Sequence, residues 1–231
     1  MRTGATHRGG RRQQPPSPAL TCTPPHHELV DPVTPSQLRG WLHGLPPSAG
    51  RTRLVGIDGF SGAGKSTLAE LLADEDTTVI SIEEFYLGWD GLEDGIGRSM
   101  DGLVGPLTRG ETPRWRPWDW ERGQEGEPMD RPITAGVVLL EGCGAGAATL
   151  RVHQAATIWV QADEDDRDRR LRARPDWADY APHRDIWRRQ EEDLARRDGT
   201  PGAADLVVHP QADQRVLASG GPLWATTASA Q

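Results

Sequence analysis

Asparagine is absent from this chain of 231 residues, and of its 26 basic residues only Lys65 is a lysine. Without asparagine there is no Asn-Lys-x-Asp element, by which typical GTPases read guanine. Cys22 and Cys143 are the only cysteines, too few for a disulfide framework or a cysteine-based metal site. No apolar run approaches the roughly 18 residues of a membrane span. The opening MRTGATHRGGRRQQPPSPAL lacks the apolar stretch of a secretory signal, so a cytoplasmic protein is expected. An organelle transit segment or a misassigned start codon remains an alternative for those residues. Basic charge is also scarce. Residues 1–27 hold four arginines and no acid, which leaves 22 basic against 34 acidic side chains in 28–231. So acidic a surface excludes a general binder of nucleic acid and points to a small-molecule partner.

The organisation follows from composition and periodicity. Residues 1–27, rich in Pro, Arg, Thr and His, are expected to be a disordered tail. A single domain is expected over 28–209, with its core from 50, and a loose tail over 210–231. Thr34 and Pro35 read as the cap and first residue of a helix with Leu38, Trp41, Leu42 and Leu45 as its apolar stripe. Strands are expected at Arg53–Asp58, Thr77–Ile82, Val137–Leu140, Thr157–Val160 and Leu206–Val208. Helices are expected at Ser66–Ala73, Asp163–Arg174 and His183–Arg197. Strands alternating with helices predict an α/β fold, a five-stranded parallel sheet flanked by helices. Residues 88–132 form a Gly-, Pro- and Trp-rich insert without clear periodicity. A stretch of that length usually carries function or hides short helices.

Residues 59–66, GFSGAGKS, match G-x-x-x-x-G-K-[ST] at every fixed position, after an expected strand and before an expected helix. Glycines let the loop turn its N–H groups inward, and the helix N-terminus adds partial positive charge. Gly59, Ser61, Gly62, Ala63, Gly64, Lys65, Ser66 and Thr67 are therefore the candidate nucleotide-binding residues. A compact ammonium suits such a loop where the planar guanidinium fork does not. That accounts for the sole lysine. A dinucleotide-binding loop would need a third glycine where Thr67 stands.

Three further stretches bear on chemistry. Glu83 and Glu84 follow the second strand, and ligands of open α/β sheets sit at the carboxyl ends of strands. A carboxylate there can accept a hydroxyl proton or help hold Mg²⁺. It can equally be an acidic helix start favoured by the helix dipole. Glu141 ends the buried strand Val137–Leu140 and is placed to serve a Mg²⁺ shell with Ser66. Arg167, Arg169, Arg170, Arg172 and Arg174 cluster in a stretch that reads as an arginine-bearing lid for phosphate charge. Any single one is better explained by helical ion pairs, whereas the group as a whole points to at least one catalytic arginine. Among the tryptophans, Trp89 reads as packing and Trp118 as ligand contact.

GIDGFSGAGKSTLA, the Glu-Glu-Phe-Tyr segment at 83–86, Trp118-Asp119-Trp120 and VVLLEG together resemble the uridine kinase, phosphoribulokinase and pantothenate kinase group of P-loop kinases. The chain looks most like the small uridine-kinase-like proteins of actinobacteria. The resemblance covers roughly residues 50–209. It implies a P-loop NTPase fold of the nucleoside-kinase type, ATP and Mg²⁺, and transfer of a phosphoryl group to a hydroxyl of a nucleoside-like or other polyol acceptor. It implies Lys65, Glu83, Arg170 and Arg174 as catalytic, and Ser66, Glu83 and Glu141 around the metal. Glu84, Tyr86, Trp118 and Asp119 are implied at the acceptor. Glutamates replace the family's aspartates before Phe-Tyr, and the histidine of the pyrimidine-nucleoside kinases is missing after Trp120. Those departures keep open a second expectation, a nucleotide-binding regulatory protein with a decayed acceptor site.

Overall fold

The computed structural model describes Met1, residues 32–209 and residues 223–227. The stretch expected to be disordered, 1–27, lies outside the described residues apart from Met1. Along the chain, strand β1 (Pro32–Val33) leads into helix α1 (Pro35–Gly44). Thr34 closes a capping box with Gln37 at its N-terminus, and Leu38 and Leu42 are buried on its inner face. Strand β2 (Arg53–Asp58) runs into the glycine loop, and helix α2 (Lys65–Leu72) follows at once. Strand β3 (Thr77–Ser81) gives way to a single 3₁₀ turn, Ile82–Phe85, whose N-terminus the Ser81 hydroxyl caps.

The insert has more structure than its sequence announces. It holds helix α3 (Leu92–Ser99), a π turn (Met100–Val104) and helix α4 (Gly105–Arg109). Strands β4 (Arg114–Trp115), β5 (Trp118–Asp119), β6 (Gln124–Glu125) and β7 (Met129–Asp130) then form two short antiparallel ribbons, β4 with β7 and β5 with β6. Strand β8 (Val137–Glu141), helix α5 (Ala148–Arg151) and strand β9 (Ala156–Val160) return the chain to the sheet. Helices α6 (Glu164–Arg172), α7 (Trp177–Tyr180), α8 (Arg184–Asp198) and α9 (Thr200–Ala203) precede strand β10 (Leu206–His209). Strand β11 (Leu223–Thr227) lies within the stretch expected to be a loose tail.

The sheet order is β1-β11-β10-β9-β2-β8-β3. The expected five-stranded parallel sheet is β10-β9-β2-β8-β3, and β11 and β1 add antiparallel strands at its β10 edge. Central strands buried on both faces explain the near-continuous apolar runs of β2, β8 and β9. Alternate residues serve opposite faces. Val137 and Leu139 of β8 pack with Leu38, Leu42 and Leu68, whereas Val138 and Leu140 pack with Ile82, Phe85, Leu103 and Trp115 of the insert side. Register then decides what meets at the carboxyl edge. Glu141 of β8 lies opposite Ile57 of β2 and opposite Ser81 of β3. The glycine loop, Glu141 and the 3₁₀ turn that carries Glu83 therefore leave the sheet side by side.

Candidate functional site

The glycine loop curls because its residue types permit it. Gly62 has φ +79°, and a Cβ there would lie 2.6 Å from the Arg167 carbonyl. Gly64, at φ +105°, forms the N-terminal boundary of α2 without a side-chain cap. Only glycine takes both positions without strain. Lys65 is buried at 8% exposure, and its Nζ donates to the Phe60 carbonyl (3.2 Å) and to Cys143 Sγ (3.4 Å). Burial opposes its charge, but Cys143, Glu191, Glu141 and Asp58 outweigh burial and hold the ammonium above its ordinary range. Ser66 lies at the mouth of the loop, and its Oγ donates to Glu141 Oε2 (3.1 Å). Burial raises the Glu141 carboxyl, a tendency that Lys65 and the Ser66 hydroxyl counter.

Two buried acids brace this arrangement, and sequence reasoning assigned a role to neither. Asp58 accepts from the N–H groups of Gly59 (2.7 Å), Gly144 (3.0 Å) and Gly146 (2.9 Å), which ties the end of β2 to the turn after β8. Glu191 of α8 places one oxygen, Oε2, within reach of the Ser61 N–H (2.9 Å), the Ser61 hydroxyl (2.8 Å) and the Cys143 thiol (3.2 Å). Its other oxygen faces Arg167 at 3.9 Å. Burial pushes the Cys143 thiol up to about 12, so it is a neutral donor here. In sequence Glu191 is one acid among many on a charged helix. Its spacing from Trp187 and Leu194, both buried on the same face, is the signal that places it inward.

The arginines divide. Arg170 Nη1 donates to the carbonyls of Gly62 and Ala63, both at 3.2 Å. Its Nε and Nη2 are buried and have no partner, and desolvation lowers the pKa of the guanidinium. A buried guanidinium with unused donors beside an inward-turned glycine loop fits an anion. Arg174 is held in a bidentate pair with Asp176 (2.8 and 2.6 Å). Arg169 is exposed and pairs with Asp166.

Two cavities meet at this edge of the sheet. One, of about 900 Å³, is lined by the loop from Ser61 to Thr67 together with Arg169, Arg170 and Arg174. The other, of about 880 Å³, is lined by Tyr86, Trp89, Trp120, Tyr180, His183 and Trp187, with acids at its rim. Ser61, Glu83 and Arg174 border both. Each volume is in the range of small-molecule sites.

The expected residues fall as follows. Gly62, Gly64, Lys65, Ser66, Thr67, Glu83, Arg170 and Arg174 converge on the loop cavity. Gly59 lies behind it, and the Ala63 N–H is engaged by the Phe60 carbonyl (3.0 Å). Tyr86 borders the aromatic cavity, and its hydroxyl donates to the Cys143 carbonyl (2.6 Å). Glu84, expected at the acceptor, instead accepts from Trp115 Nε1 (3.0 Å) and faces Arg131 (3.5 Å). Trp118 and Asp119 are not among the residues lining the aromatic cavity. Asp119 accepts from the Arg122 N–H, and Trp120 takes the place expected of Trp118. Trp89, read from sequence as packing, stacks flat on His183 and also lines the cavity. No cluster of three or more metal-ligating side chains occurs among the described residues.

No protein-family model matches the chain, and no curated protein matches it in sequence. Solved structures do share its fold. A structure described as a possible uridine kinase from Bacillus stearothermophilus is 15% identical, with a TM-score of 0.56, over 75% of this chain and 96% of that one. A putative fructose transport system kinase from Silicibacter sp. TM1040 is 21% identical, with a TM-score of 0.52, over 74% of this chain and 95% of that one. At such identities the likeness is one of fold, and the fold is that of an α/β P-loop NTPase.

Proposed function

We propose that the chain is an ATP-dependent small-molecule kinase that phosphorylates a hydroxyl of a nucleoside-like or other polyol metabolite. The observation that carries this reading is the pair of cavities sharing Glu83 and Arg174. A phosphate-binding loop opens on one side and a ring-lined chamber on the other. That both similar structures are described as kinases supports it. The likeness to small actinobacterial uridine-kinase-like proteins rests on the sequence motifs alone.

Magnesium-bound ATP supplies the phosphoryl group and neutralises part of the phosphate charge. In this reading the loop at 59–67 holds the phosphates through its backbone N–H groups and Lys65. Ser66 and Glu141, with Glu83, hold the metal. Glu83 accepts the proton of the acceptor hydroxyl as its oxygen forms the new bond to phosphorus, and ADP leaves. Arg170, through its free donors, and Arg174, once released from Asp176, bring positive charge to the transferred group. The reading of a decayed acceptor site draws on the glutamates at 83 and 84, and on the engagement of Glu84 by Trp115 and Arg131. A wide, aromatic second cavity against Glu83 weighs against it. Incubating the full chain with MgATP and pooled hydroxyl compounds, followed by mass spectrometry, tests the proposal. A phosphorylated product that Lys65→Ala protein does not make supports it. ATP binding with no product from a broad pool favours the regulatory reading.

A further inference from the structure

The second cavity has a chemical character that the kinase reading does not require. Its rings come from distant parts of the chain. Trp89 stacks on His183 (centroids 4.7 Å, planes at 7°) and approaches Trp120 (4.8 Å), while Tyr86 approaches Trp187 (4.9 Å). Around these rings the lining carries four acids, Glu83, Glu121, Asp176 and Asp179. The one arginine in the lining, Arg174, is already matched by Asp176 in a bidentate pair. The nearby Arg184 is engaged by Asp168, and Arg188 by Glu164 and Glu192. Glu121 and Asp179 have no ion pair among the described residues and are exposed. A guanidinium already lies over one ring of the cavity, that of Arg174 at 6.0 Å from the Tyr180 centroid. Aromatic faces attract cations through their quadrupole, most strongly where the cation is weakly hydrated, and surplus carboxylates add to that attraction.

We infer that the acceptor is a cation, a hydroxyl-bearing molecule whose charge is delocalised over a flat ring or carried on a quaternary nitrogen. The inference rests on the kinase reading for the word acceptor, but the cavity's preference for a cation is measured independently of ATP. A neutral base would stack on the same rings and gain nothing from Glu121 and Asp179. An anionic acceptor would be repelled by them.

The test is equilibrium dialysis of the full chain against two matched pairs of probes. One pair is choline and neohexanol, in which carbon replaces the nitrogen. The other is N-hydroxyethylpyridinium and phenylethanol. Each cation is expected to bind at least about tenfold tighter than its neutral partner. The preference is expected to shrink several-fold in the double variant Glu121→Gln/Asp179→Asn, whose exposed positions leave the core untouched. In Trp120→Leu both cations are expected to weaken more than either alcohol. MgATP binding is measured on the same preparations by calorimetry. Neutral probes binding as well as cations, with ATP bound, would overturn the inference and leave the kinase reading standing. A cation preference without ATP binding would support the cavity's chemistry and sink the kinase reading.

Discussion

Lysine at position 65 has a physical reason that the other 25 basic positions lack. Its Nζ is buried against the Phe60 carbonyl and Cys143, a place suited to a compact ammonium rather than a planar guanidinium fork. Because Cys143 and the carboxylates of Glu191, Glu141 and Asp58 overcome burial, its folded-state pKa lies above the ordinary 10.5. A raised basic pKa gives a contribution that is fully present below the ordinary value and lost only as pH rises through the raised one. MgATP affinity is therefore expected to show no loss attributable to Lys65 between pH 7 and about 10, and calorimetry across that range checks it. Lys65→Ala is expected to lower turnover by about 10²–10³-fold. Glu191 makes a different prediction. In Glu191→Gln the amide oxygen can keep the Oε2 position, but the charge that holds the Ser61 N–H and hydroxyl is lost and an NH₂ group faces the Arg167 guanidinium. The expected cost is about 1–3 kcal/mol of stability by chemical denaturation, with weakened MgATP binding because Ser61 belongs to the loop. Unchanged affinity would show that the loop holds its shape without this brace.

At the level of elements, the loop and α2 depend on φ values that the sequence declares through glycine. Gly62→Ala places a methyl against the Arg167 carbonyl at a φ of +79°. It is expected to displace α6 from the loop and cut ATP affinity by at least about tenfold while the sheet still melts cooperatively. Circular dichroism beside calorimetry separates the two effects. The strands were legible because burial on both faces makes runs such as Leu54–Ile57 and Val137–Leu140 read apolar throughout. The loop was legible because its motif is specific and its flanks agreed with it. The insert was not. Its helices are short, a π turn interrupts them, and its ribbons are two residues per strand, so no period has room to repeat. Trp118 and Trp120 illustrate the limit. Side chains two residues apart on a strand share a face by rule, yet β5 ends at Asp119, and Trp120 turns to Trp89 and Tyr86. Glu84 departs from its expected direction for a related reason. On a 3₁₀ turn neighbouring side chains diverge by about 120°, so Glu83 and Glu84 do not share a target.

Across the whole molecule, the site is built from the glycine loop, the turn after β3, the insert and the α6–α8 segment, which places residues 61, 83, 120, 174 and 187 around joined cavities. Three carboxylates without an ion pair among the described residues, Glu83, Glu121 and Asp179, line the aromatic cavity, while Lys65 and Arg170 bring positive charge to the loop cavity. Among the described residues no helix is long and apolar enough to cross a membrane. The central claim is that Glu83 stands where the two cavities join and accepts a proton from an acceptor hydroxyl. Its most direct test is acceptor-dependent ADP release by wild-type and Glu83→Gln proteins, with MgATP affinity measured on both. The account predicts release that depends on an acceptor and, at saturating MgATP, falls by about 10²–10⁴-fold in Glu83→Gln, beyond any loss of MgATP affinity from its place beside the metal. Acceptor-dependent release that survives intact in Glu83→Gln would contradict it.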